Sequence, residues 1–188
     1  MSIATLLEGM YLRSPLYRWQ RARRQRAELR RWEQPSRPAP PPHLVKQRLI
    51  RRYASKYGCD TLVETGTYKG DMLLALEPEF VRLYSIELHR GLHARVQRLF
   101  RGKPQVRLVQ GDSGERLGDV LRELDRPAVF WLDGHYSAGG TAKADKNTPI
   151  VAELDRILAH RIRNHVVLID DARLFNGTED YPTLEFLR

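Results

Sequence analysis

Val63-Glu64-Thr65-Gly66-Thr67-Tyr68-Lys69-Gly70-Asp71 is the stretch on which the fold turns. The apolar run Thr61–Glu64 has the length of a buried strand. It ends on an acid and passes at once into a loop with two glycines, after which Asp71–Leu76 has a helical pattern. Glycines at such a point let the backbone turn sharply and come close to a ligand. A strand, a glycine loop and a helix are the first half of a βαβ unit. The loop lacks the Gly-x-Gly-x-x-Gly of dinucleotide sites. An acid two residues before its first glycine suits a cationic, non-phosphorylated ligand instead.

The same alternation continues downstream. Val81–Leu88 is a strand, and Leu92, Val96, Leu99 and Phe100 mark the apolar face of a helix. Val106–Gln110 is a strand, with Leu117, Val120, Leu121 and Leu124 on the helix after it. Ala128–Asp133 is an apolar strand, followed by a glycine-rich loop to Pro149. Ile150, Leu154, Ile157 and Leu158 then mark a helix, His165–Asp170 a last strand, and Tyr181–Arg188 the start of one more helix. Repeated β-α units predict an α/β fold: a Rossmann-like, doubly wound parallel sheet of about five strands with helices on both faces. Ligands in such sheets sit beyond the carboxyl ends of the strands.

The polar residues of interest fall at those ends. Glu87 closes the second strand, where an acid can accept hydrogen bonds from both hydroxyls of a ribose. Gly111-Asp112-Ser113 follows the third strand. Either Asp112 or Ser113 can meet an adenine edge, and either can cap the helix that begins near Gly114. Asp133 follows the fourth strand, and Asp170-Asp171 the fifth. Three carboxylates on one edge repel unless something positive lies among them, and Mg²⁺ with oxygen ligands would serve. Lysines of the 137–148 loop would serve as well.

These residues resemble a family. Glu64-Thr-Gly66-Thr-Tyr68-Lys-Gly70 is similar to the first motif of the class I S-adenosylmethionine-dependent methyltransferases, in the form found in metal-dependent O-methyltransferases of the catechol and macrocin (sugar) types. Glu87, the Gly111-Asp112-Ser113 turn and the three aspartates match further motifs over residues 60–181. The resemblance implies S-adenosylmethionine as cofactor. Glu64, Gly66, Tyr68 and Gly70 would line its methionine end, Glu87 its ribose, and Asp112 and Ser113 its adenine. Asp133 would stand at the cofactor, in the catalytic centre and, with Asp170 and Asp171, around Mg²⁺. His135 occupies the place of a general base. O-methylation of a small hydroxylated acceptor, a sugar or natural product, is the implied reaction. A non-catalytic or truncated relative and an RNA-associated methyltransferase are the alternatives. The loop 137–149, with Lys143 and Lys146, is expected to be a lid over the acceptor. The family's closing antiparallel strands have no counterpart before Arg188, so either a partner such as a second copy of the chain covers the sheet edge they would leave open, or the chain is truncated.

Upstream of this domain, expected over 44–188, a proline-rich linker spans 35–43 and a basic helical leader spans 1–34, with its helix over Tyr17–Trp32. The net charge of +9 is concentrated there: residues 1–43 hold nine Arg against three acids. Such a segment can meet nucleic acid or an anionic membrane, but a solvated basic helix is the ordinary outcome at this length. Cys59 is the only cysteine, so no internal disulfide forms and a reducing compartment fits. Without an apolar run of about 18 residues or a secretory signal pattern, a soluble cytoplasmic protein is the expectation.

Overall fold

The structure, a computed structural model, describes residues 11–12, 14–34, 37–134, 148–178 and 180–187. Five strands form one parallel sheet: β1 (Thr61–Thr65), β2 (Arg82–Glu87), β3 (Val106–Gln110), β4 (Val129–Leu132) and β5 (Val166–Ile169), in the order β3-β2-β1-β4-β5. The order reverses at β1, so the crevice of this doubly wound sheet opens at the carboxyl ends of β1, β2 and β4.

Alternation along β1 sends Leu62 to one face and Val63 to the other, and both are fully buried. On the Leu62 face pack α2 (His43–Tyr57), α3 (Asp71–Leu76) and α4 (Arg90–Leu99), through Ile50, Leu73, Leu76 and Val96. On the Val63 face pack α5 (Ser113–Glu123) and α6 (Ile150–Ala159), through Leu117, Val120, Ile150 and Ile157. Helices therefore cover both faces, as the alternation of strands and helices requires. No helix among the described residues is long and apolar enough to cross a membrane.

The basic leader forms α1 (Pro15–Trp32), starting two residues before the expected boundary. Ser14 caps it by accepting the Tyr17 N–H at 3.1 Å, and Pro15 follows where its missing N–H costs nothing. α1 is docked on the domain: Leu29 is buried, and Arg21 pairs with Asp71 at the start of α3. His43, expected in the linker, is instead the first residue of α2.

One expectation is corrected. The segment 181–187 forms turns and not a helix, with Thr183 in an antiparallel bridge to Asn176. Pro182 drives Tyr181 out of the helical region, and the Tyr181 ring packs edge-on against Phe175. Of the apolar residues that mark α6, Leu158 is 66% exposed. The buried stripe of that helix is Ile150, Glu153 and Ile157, at i, i+3 and i+7.

Candidate functional site

Backbone hydrogen bonds continue the parallel ladder one residue past the strands and bring the carboxyl ends into one row. Gly66 N–H donates to the Ile86 carbonyl, Gly111 N–H to Glu87, Asp133 N–H to Thr65, and Asp170 N–H to Leu132, at 3.0–3.2 Å. Asp112, Glu87, Glu64, Asp133 and Asp170 thus stand at five neighbouring strand ends.

Gly66 has a φ of +83°, and a Cβ there would lie 2.5 Å from the Asp133 carbonyl oxygen. The exits of β1 and β4 approach so closely that only glycine fits. The loop then turns through Tyr68, whose φ is +49°, and closes with the Gly70 N–H on the Thr67 carbonyl at 2.9 Å. This turn aims the Tyr68 N–H at Glu87, which accepts it at 2.7 Å and the His89 N–H at 2.8 Å, one on each carboxylate oxygen. Glu87 is 6% exposed. Each oxygen keeps acceptor capacity for another donor, which fits a vicinal diol laid across the strand end.

Glu64 lies deeper. Ser85 donates to its Oε2 at 2.6 Å, and Thr67 lies 2.6 Å from Ser85. Burial, with Asp133, Glu87 and Asp71 nearby, pushes Glu64 up to about 8 against the serine hydrogen bond. The carboxyl is therefore mostly protonated at neutral pH, which removes one of the negative charges crowding the row.

Asp112 accepts the Gly114 N–H at 2.7 Å as the cap of α5, one of the two roles open to it. Ser113 is buried and faces the β4 exit: its Oγ, Thr65 Oγ1 and Glu153 Oε1 lie 3.1, 3.1 and 3.2 Å from the position of a Cβ on Gly134.

Asp170 and Asp171 are already paired. Lys46 of α2 forms an ion pair with Asp170 Oδ2 and lies 6.0 Å from the Trp131 ring centroid. Asp171 donates its N–H to Asp170 Oδ1 at 2.9 Å and binds Arg173 through its carboxylate. Among the described residues no three His, Cys, Asp or Glu side chains gather as a metal-holding group. The expected Asp133–Asp170–Asp171 set for Mg²⁺ does not fit this arrangement, because Lys46 and Arg173 supply the positive charge at two of its members. His135 and the expected lid lysines, Lys143 and Lys146, lie outside the described residues.

Sequence reasoning missed Lys46, Ser85, Thr65 and Glu153. The first two announce themselves only through partners distant in the chain. Glu153 did leave a signal, an acid on the apolar stripe of its own helix.

The buried groups make stability depend on pH. Glu64 (about 8) and Glu153 (about 7) titrate above the ordinary carboxylate range in the folded chain, so the folded state holds protons the unfolded chain has released. Their penalty grows as pH rises from the carboxylate range through 8. His43 and His165 are pushed down to about 4, first by burial, so their contribution is complete above 6.5 and is lost as pH falls. Between pH 6.5 and 8.5 the acids dominate, and unfolding free energy should drop by about 2 kcal/mol. Urea titrations at the two pH values, with Glu64→Gln flattening the difference, check this; a flat wild-type profile would refute it.

No protein-family model matches this chain, and no curated protein matches it in sequence. Solved structures do match. The S-adenosylhomocysteine-bound methyltransferase PaMTH1 of Podospora anserina aligns with a TM-score of 0.52 and 17% identity, over 68% of this chain and 53% of that one. The O-methyltransferase TomG of Streptomyces achromogenes, involved in tomaymycin synthesis and solved with S-adenosylmethionine, aligns with a TM-score of 0.51 and 21% identity, over 72% of this chain and 59% of that one. The chain thus spans somewhat more than half the length of these two proteins. Its five-stranded parallel sheet flanked by helices is the Rossmann-like fold of the S-adenosylmethionine-dependent methyltransferases.

Proposed function

We propose that the chain is an S-adenosylmethionine-dependent methyltransferase that methylates a hydroxyl of a small acceptor, a sugar or natural product, in a reducing cytoplasmic setting. The observation that carries this is Glu87, buried at the end of β2, holding the glycine loop through the Tyr68 N–H while keeping acceptor capacity toward the crevice.

S-adenosylmethionine, when bound, supplies an activated methyl group for in-line displacement, so alignment contributes most of the acceleration. Glu87 would hold the ribose diol, and the backbone of Gly66–Gly70 would wall the methionine end. Glu64, neutral through its burial, supports that wall through Ser85 and Thr67 rather than adding charge to it. Asp112 and Ser113 would border the adenine. An acceptor hydroxyl must lose its proton as it attacks, and His135, two residues beyond Asp133 in the chain, is the proposed base. No step is assigned to Mg²⁺, since Lys46 and Arg173 pair with two of the three aspartates it would use.

Titration calorimetry of the whole chain with S-adenosylmethionine and S-adenosylhomocysteine tests the proposal. Binding in the micromolar range that is unchanged by EDTA is expected. Absence of binding by a protein with a cooperative melting transition would overturn it. Affinity that disappears with EDTA would restore Mg²⁺.

A further inference from the structure

Glu153 is an acid that folding has hidden on the inner stripe of α6. It is 1% exposed, shares the buried stripe of α6 with Ile150 and Ile157, and has no Lys or Arg paired with it among the described residues. Taking a carboxyl out of water costs several kcal/mol unless it is fully hydrogen-bonded, and an apolar side chain would fill the same space at no such cost. The arrangement around it is specific. Thr65 from the end of β1, Ser113 from the start of α5 and Glu153 from α6 converge on one point, the position a Cβ on Gly134 would occupy where β4 leaves the sheet. Glu153 Oε1 and Thr65 Oγ1 both lack a well-formed hydrogen bond among the described residues, although the Thr65 and Ser113 hydroxyls lie close enough to Glu153 to favour its charged form. Of the three buried side-chain atoms without a well-formed bond among the described residues, His93 Nε2 stands apart and these two share one place, which marks that place as kept for function, because each unmade bond lowers stability.

We propose that Glu153 is a positioning residue of the cofactor site, setting the Asp133–Gly134 exit and Ser113 against the end of β1 and accepting, with Thr65, one further donor when the site is filled. The inference rests on the methyltransferase reading. Its route is short: Gly134 follows Asp133, whose carbonyl faces the α-carbon of Gly66 in the glycine loop, and Ser113 borders the adenine side. A carboxyl at this point therefore lies beside the Gly134 exit and beside Ser113, one on each half of the proposed cofactor cradle. Burial raises its pKa to about 7, with the Asp112 and Asp133 charges adding to the rise and the Ser113 and Thr65 hydroxyls opposing it. It can therefore change between proton donor and acceptor near neutrality.

A residue that merely glues the core and one that serves the site respond differently to an apolar replacement. Glu153→Leu removes the desolvation cost, so the melting midpoint should equal or exceed that of the wild type. S-adenosylhomocysteine affinity, measured calorimetrically on the full chain, should nevertheless fall by about 30-fold. Glu153→Gln keeps length and polarity and should recover affinity to within about threefold. Wild-type affinity in the leucine variant, or affinity and melting midpoint falling together, overturns the proposal. If the leucine variant does not fold, Thr65→Val decides: about tenfold weaker binding at an unchanged midpoint supports the proposal, and unchanged affinity overturns it. A folded wild type that binds no S-adenosylhomocysteine refutes the methyltransferase reading itself, and this inference with it.

Discussion

Glu87→Ala is expected to weaken S-adenosylhomocysteine binding by at least about two orders of magnitude while leaving the protein folded. Two charge-assisted hydrogen bonds to the ribose diol would be lost, each contributing about 1.5–3 kcal/mol. The anchor of the glycine loop goes as well, because the Tyr68 and His89 amides both end on this carboxylate. Glu87→Gln separates the two effects, since the amide has one oxygen where the carboxylate has two. It should fall between alanine and wild type. Calorimetry beside far-ultraviolet circular dichroism reads both outcomes, and an alanine variant within about fivefold of wild-type affinity would remove Glu87 from the ribose role.

The largest effect on stability should come from Gly66→Ala. The added Cβ would lie 2.5 Å from the Asp133 carbonyl oxygen and 3.0 Å from its carbon, both backbone atoms with no rotamer by which to escape. A φ of +83° adds its own penalty for an L-residue. The sum should reach about 3 kcal/mol or more, and the exits of β1 and β4 must separate to accommodate the methyl group. Gly58→Ala is the internal comparison. Gly58, the left-handed cap of α2, has a φ of +64° and no atom within 4 Å of its added Cβ. Only the conformational penalty of about 1 kcal/mol applies there. Equal losses for the two variants in urea unfolding would show that the close approach at Asp133 carries no weight.

Much of this molecule was legible in its residues because its signals are local. Strand and helix alternate with their own periods, and each buried strand is a short apolar run ending on a polar residue. Gly66 and Glu87 were readable for the same reason: a tight turn and a strand-end acid are properties of position along one βα unit. Lys46 and Asp170 were not, since their pairing across 124 residues is a product of packing α2 on the sheet. The three aspartates looked like a metal set because a sequence displays carboxylates and conceals the cations folded among them. In α6 the stripe that Ile150 and Ile157 define passes through Glu153 while Leu158 faces out, so the spacing of apolar residues alone marks the helix without showing which of them it buries.

The place of β1 in the strand order has a consequence for dynamics. β1 is bonded to β2 on one side and β4 on the other, and all five of its residues are buried. Local openings that peel an edge strand or fray a helix leave it untouched, so its amide hydrogens should exchange with solvent only when the whole chain unfolds. The loop that leaves it, by contrast, exposes the Tyr68 ring and is held by a few backbone bonds. Protection should therefore drop steeply between Thr65 and Lys69. A ligand that closes over the crevice would be recorded there first, as slowed exchange in the loop against the unchanging reference of its own parent strand.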